Sequence, residues 1–188
     1  MLGAALLMLA APAVSDAYPA MAVLGAFRSA CNDTRDLDGL EKRLPKKGWA
    51  PLVEGVEPRI TALVAKGKAG VEDGITPQGK EFARTVNGRK LYLVTSRVTD
   101  ESGAWANGCR VYDLAAEKPI RDEILRKWMK KPPTHKENLS NGGTIRKWEP
   151  AWRKGVTADA DYAGIGGDFN KQFGLSGVIL IAQSIGGF

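Results

Sequence analysis

The pair Asn87-Gly88, set between residues 82–86 and 89–98, is the feature that most constrains this chain. Two consecutive residues tolerant of positive φ supply a type I′ turn, whose twist matches that of two antiparallel strands. The flanking runs, rich in β-branched and aromatic residues, read as those strands. Asp100-Glu101-Ser102-Gly103 makes the next turn. Residues 105–113 make the next strand, with Cys109 and Val111 on one face and Arg110 and Tyr112 on the other.

The rest of the chain extends that sheet and covers it. Residues 175–184 hold the unbroken run Val178-Ile179-Leu180-Ile181 and read as a buried, central strand. Residues 144–152 alternate as a strand until Pro150, which marks an edge or a bend, and 159–165 form a weaker strand. Residues 134–143 read as a polar loop. Helical spacing appears at 19–31, through Val23, Phe27 and Ala30, at 36–44 before Pro45, and at 58–66 before Gly67. Trp49 reads as a core anchor. The strongest helix lies at about 119–131, where Ile120, Ile124, Leu125 and Trp128 form one apolar stripe and Pro132-Pro133 ends it. Helices first, then mostly hairpin-linked strands, predict an α+β fold, with short N-terminal helices packed on an antiparallel sheet and one further amphipathic helix. With no internal repeat and no long linker, 18–188 reads as a single domain.

The first residues stand apart. Leu2-Gly3-Ala4-Ala5-Leu6-Leu7-Met8-Leu9 is an apolar run, and Ser15-Asp16-Ala17 fits a small-x-small cleavage site, so 1–17 reads as a secretory signal peptide. The run is too short and too broken by Ala and Pro for a permanent transmembrane anchor. About 171 residues then remain, enough to bury roughly 70% of the unfolded chain's surface. Cys31 and Cys109 are the only cysteines, an even count with one intramolecular connectivity, and they are expected to pair. Cys109 on an inward strand face would reach the end of the first helix, tying the helical part to the sheet. Export and pairing together predict a periplasmic or secreted protein.

Charge is the clearest pointer to function. Residues 18–117 carry 15 Lys/Arg against 13 Asp/Glu, 118–154 carry 11 against 4, and 155–188 carry 1 against 3. All the excess positive charge of the mature chain therefore falls in one stretch, which predicts a positive surface facing an anionic partner. Trp128, Trp148 and Trp152 lie among Arg126, Lys127, Lys130, Lys131, Arg146, Lys147, Arg153 and Lys154. Stacking sites beside cations have this composition, as do helix faces whose tryptophans serve the core. Arg126, Lys127, Lys130, Lys131, Arg146 and Lys147 are the expected charge donors, with Trp148 or Trp152 as a stacking platform. Export makes an intracellular nucleic acid an unsuitable target and leaves an anionic envelope polymer or an acidic protein.

Catalytic signatures are sparse. His135 is the only histidine and there is no Cys-x-x-Cys, so no Cys/His zinc site is expected. Gly174-Leu175-Ser176-Gly177-Val178 has Val where a nucleophile elbow closes with Gly, and it precedes a strand rather than following one. Gly164-Ile165-Gly166-Gly167 lacks the dinucleotide fingerprint, and no cofactor is expected. Asp159, Asp161 and Asp168 are the local acidic cluster of the C-terminal third, and the i, i+2 spacing puts the first two on one strand face. Paired carboxylates of this kind would serve a hydrolase. A structural domain without a dedicated ligand is the remaining alternative.

With Cys31, Gly48-Trp49, Cys109-Arg110-Val111, the amphipathic helix ending at Pro132 and Trp148 after a Gly pair in place, the layout resembles small exported proteins of proteobacteria. That resemblance implies periplasmic residence and an α+β fold, and it carries no activity to transfer.

Overall fold

The computed structural model describes residues 18–71 and 75–188. The leader read at 1–17 lies outside the described residues. In chain order the elements are α1 (Ala20–Ala30), α2 (Leu37–Arg43), a 3-10 turn (Pro45–Lys47), β1 (Ala50–Pro51), α3 (Pro58–Ala69), β2 (Thr76–Gln78), β3 (Glu81–Val86), β4 (Arg89–Thr99) and β5 (Trp105–Asp113). They continue as α4 (Asp122–Met129), β6 (His135–Asn138), β7 (Thr144–Trp148), β8 (Thr157–Ala163), α5 (Asp168–Phe173) and β9 (Gly177–Gly186). Among the described residues the strands form one antiparallel sheet in the order β1-β3-β4-β5-β9-β8-β7-β6, with β2 beside β3 on the outer edge of β4. The fold is α+β.

Asn87 and Gly88 take φ of 45° and 79°, the positive pair a type I′ turn needs, and Val86 opposes Arg89 across it. The apolar run of β9 is central, with β5 on one side and β8 on the other, so neither of its edges meets water. Where β2 gives way to β3, Gly79 passes so close to β4 that a Cβ would stand 2.1 Å from the Thr95 carbonyl oxygen. Only glycine fits there.

The sheet has two unequal faces. On one, Leu91, Leu93, Cys109, Val111, Ala158, Leu180 and Ala182 meet α1, α2 and α4, and Trp49 is fully buried with them. Val23, Leu24, Phe27 and Ala30 supply the apolar side of α1 at helical spacing. Cys31 and Cys109 form a disulfide there, with Cα atoms 5.6 Å apart, joining the end of α1 to β5. On the other face, Tyr92, Val94, Tyr112 and Ile179 pack with Ile60 of α3 and Phe169 and Phe173 of α5.

One expected element is present with a later start, and one expectation is corrected. The helix expected at about 119–131 starts later, at Asp122, because Arg121 is extended; Asp122 and Glu123 then occupy the first turn, where carboxylates oppose the helix dipole. Residues 134–143 are not all loop: 135–138 form β6, an edge strand whose four residues are exposed and so carry no apolar alternation.

Candidate functional site

The basic stretch divides into residues that hold the fold and residues that face water. Trp148 is fully buried, so it is no stacking platform. Its Nε1 donates to the Lys131 carbonyl at 3.3 Å, and its ring meets Trp128 edge-on at 6.1 Å. Trp152 is half-buried, edge-on to Phe27 and Trp128, with Nε1 donating to the Asn32 carbonyl at 2.9 Å. The Arg28 guanidinium stands 5.5 Å from the Trp152 ring centre. These rings are therefore the seam between α1, α4 and the segment after β7, and aromatic burial of this size explains why they were placed there.

Arg146 is buried as well and is not free to meet a partner. Its Nε donates to Asp122 at 2.7 Å, Nη2 to the Asn138 side chain at 2.7 Å, and Nη1 to the carbonyls of Glu137 and Ile145. Two neighbours are also engaged. Lys131 Nζ donates to the carbonyls of Pro150 and Ala151 at 2.6 and 2.8 Å, while Lys147 pairs with Glu149 at 3.0 Å. Lys147 also points to the opposite sheet face from Arg146, as strand alternation requires.

Arg126, Lys127 and Lys130 are what remains, and all three are exposed. Among the described residues none of them pairs with a carboxylate. Lys130 caps α4 in the left-handed conformation, φ 59°, a position that usually takes glycine. Spacings of three and four residues set these charges beside one another, where like charges repel.

The acidic cluster assembles in part. Asp159 and Asp161 share the face of β8 away from α4, while Asp168 is fully exposed at the start of α5 and joins neither. Asp159 sits in a cross-strand row that runs Arg110, Ile181, Asp159, Lys147, His135. Its carboxyl is pushed up, by burial first, with Lys147 drawing it back. Asp161 is pushed up to about 7, again by burial first and then by the charge of Asp159. Its Oδ1 accepts the Arg146 N–H at 3.3 Å, so this side chain stands in for a ladder carbonyl between β7 and β8.

One feature has no signal in the sequence. A cavity of about 340 Å³ opens between α3, α5 and the β2–β4–β5 corner, on the face opposite α4. Its lining comes from segments distant in sequence, and α5 is too short to show a helical period. Among the described residues no group of three or more His, Cys, Asp or Glu is arranged to hold a metal ion, and no helix is long and apolar enough to cross a membrane.

No protein-family model, curated protein or solved structure matches the chain.

Proposed function

We propose that the chain is an exported, non-enzymatic domain that binds an anionic envelope component or an acidic protein through the C-terminal half of α4. The observation that carries this reading is the cluster Arg126, Lys127 and Lys130, exposed and without carboxylate partners among the described residues. Mutual repulsion makes such a cluster unfavourable in the free protein, and an anionic partner would relieve it. The partner would dock on the helical side of the sheet. A disulfide between Cys31 and Cys109 supports residence in an oxidising compartment, where such bonds persist.

The test is binding to dextran sulfate and to phosphatidylglycerol vesicles at low and physiological salt. The wild type should bind in a salt-sensitive manner. A variant with Arg126, Lys127 and Lys130 changed to Glu should lose at least tenfold, whereas changing exposed Lys42, Lys46 and Lys90 to Glu should lose much less. Equal losses in the two variants would reduce the effect to net charge alone.

A second reading is an acid–base site at Asp159 and Asp161, favoured by the raised carboxyl of Asp161. It predicts a hydrolytic activity on envelope glycans that Asp161→Asn abolishes. It does not include Asp168.

A further inference from the structure

The cavity beside α3 and α5 lies across the sheet from α4 and goes beyond the reading above. Its volume of about 340 Å³ falls in the range of small-molecule sites, and at about 30 Å³ apiece it would hold roughly eleven water molecules. The surroundings do not suit water. Leu63 and Val64 of α3 form one wall, Phe169 and Phe173 of α5 another, and Val94 and Tyr112 the floor. The two phenylalanine rings stand 4.8 Å apart, one helical turn from each other. An apolar space of this volume fits a single flexible chain of about eight to ten carbons.

Cations outnumber carboxylates in the polar lining, with Lys68, Lys80, Arg97 and Arg110 against Glu81. Arg110 projects from β5 into its wall and is half-buried. Its Nη1 donates to Ser96 Oγ at 2.7 Å, which leaves most of the guanidinium fork without a protein acceptor. Among the described residues no carboxylate lies within ion-pair distance of it; Asp159 stands two strands away in the same row. Of the other cations that line it, Lys80 pairs with Glu41 at 2.7 Å and Arg97 with Asp38 at 3.4 Å, while Lys68 of α3 is exposed to water. A guanidinium drawn partly out of water, without a counter-ion and next to an apolar cavity, is complementary to an anionic head on an apolar chain.

We propose that this cavity binds a single-chain amphipathic anion of the medium-chain carboxylate class. The chain lies against Leu63, Val64, Phe169 and Phe173, and the carboxylate accepts hydrogen bonds from Arg110. An uncharged alcohol of the same length satisfies the walls and leaves the guanidinium unpaired. A quaternary ammonium of the same chain brings a like charge to it.

Isothermal titration of the whole protein with decanoate, decanol, decyltrimethylammonium and butyrate tests the assignment. Decanoate should saturate one site, decanol should bind at least tenfold more weakly, and the ammonium and butyrate should show no saturable binding. Arg110→Gln should weaken decanoate by about ten- to a hundredfold, the worth of a charged hydrogen bond, and leave decanol unchanged. Val64→Trp, which fills the cavity from α3, should weaken both. The α4 variant carrying three glutamates should keep decanoate binding, which separates this site from the basic face. Equal affinity for decanoate and decanol in the wild type would overturn the anion assignment without any variant, and absence of binding by every chain would overturn the site.

Discussion

Arg146 and Asp122 meet at 2.7 Å between β7 and the first turn of α4, and this ion pair fastens the helix to the far half of the sheet. Arg146 has almost no contact with water, whereas Asp122 is partly exposed and also pairs with Lys136 at its rim. The arginine is therefore the costly partner to disturb. Arg146→Ala would take one donor each from Asp122, the Asn138 side chain and the carbonyls of Glu137 and Ile145. It is expected to lower stability by about 3 kcal/mol in urea unfolding. Asp122→Asn keeps an acceptor for Nε and should cost less. A loss below about 1 kcal/mol for Arg146→Ala would show that the clamp carries little of the stability.

Lys130 pits stability against charge. An L-residue in the left-handed region is strained by roughly 1 kcal/mol, and glycine is not. Lys130→Gly should therefore raise the midpoint of thermal unfolding while weakening polyanion binding in the assay above. Lower stability in this variant would mean that the lysine serves the helix end more than it strains it.

Asp161 gives the protein an unusual response to pH. Burial, and next the charge of Asp159, push its carboxyl up to about 7. A group that binds its proton more tightly when folded adds stability below its unfolded pKa, and that contribution is lost as the pH rises through the folded value. Through this residue stability falls between about pH 4 and pH 7. Asp33 acts in the opposite sense. The hydrogen bond from Arg35 holds it down to about 2, so its contribution is lost as the pH falls from about 4 toward 2. Asp161→Asn retains an oxygen for the Arg146 N–H. It should flatten the slope between pH 5 and 7.5 and raise stability at pH 7.5 by up to roughly 4 kcal/mol, each tenfold in proton affinity being worth about 1.4 kcal/mol. Urea titrations of both proteins at the two pH values decide the matter, and an unchanged slope would remove the residue from this role.

The disulfide closes a loop with a sequence separation of 78 residues. On the chain-entropy account, losing it should cost about 4 kcal/mol. Replacing Cys31 and Cys109 by Ser, or adding a reductant, should lower the thermal midpoint markedly, and the two treatments should agree. A serine variant as stable as the oxidised wild type would place the stabilisation elsewhere.

Parts of this architecture could be read before any coordinates because their signals are local. Asn87-Gly88 fixed a turn, Val178–Ile181 had to be buried on both sides, and the alternation around Cys109 put it inward, against the end of α1. Other parts depend on facing that composition does not encode. Arg146 and Lys147 are neighbours in the chain and go to opposite sheet faces, one into a clamp and one to the surface. Trp148 looked like a stacking residue because lysines surround it in sequence, yet in space its ring meets Trp128. Residues 135–138 carry no apolar period because an edge strand with both faces wet needs none. The cavity was invisible because α3, β4, β5 and α5 meet only after folding.

Trp152 holds the carbonyl of Asn32, the residue that directly follows the disulfide cysteine Cys31, and its ring also touches Phe27 and Trp128. The cross-link and the aromatic seam thus share one mechanical joint. Breaking the sulfur bridge is expected to loosen the carbonyl to which that indole donates, so tryptophan emission should report the protein's redox state. The state of the cross-link can thus be followed with light.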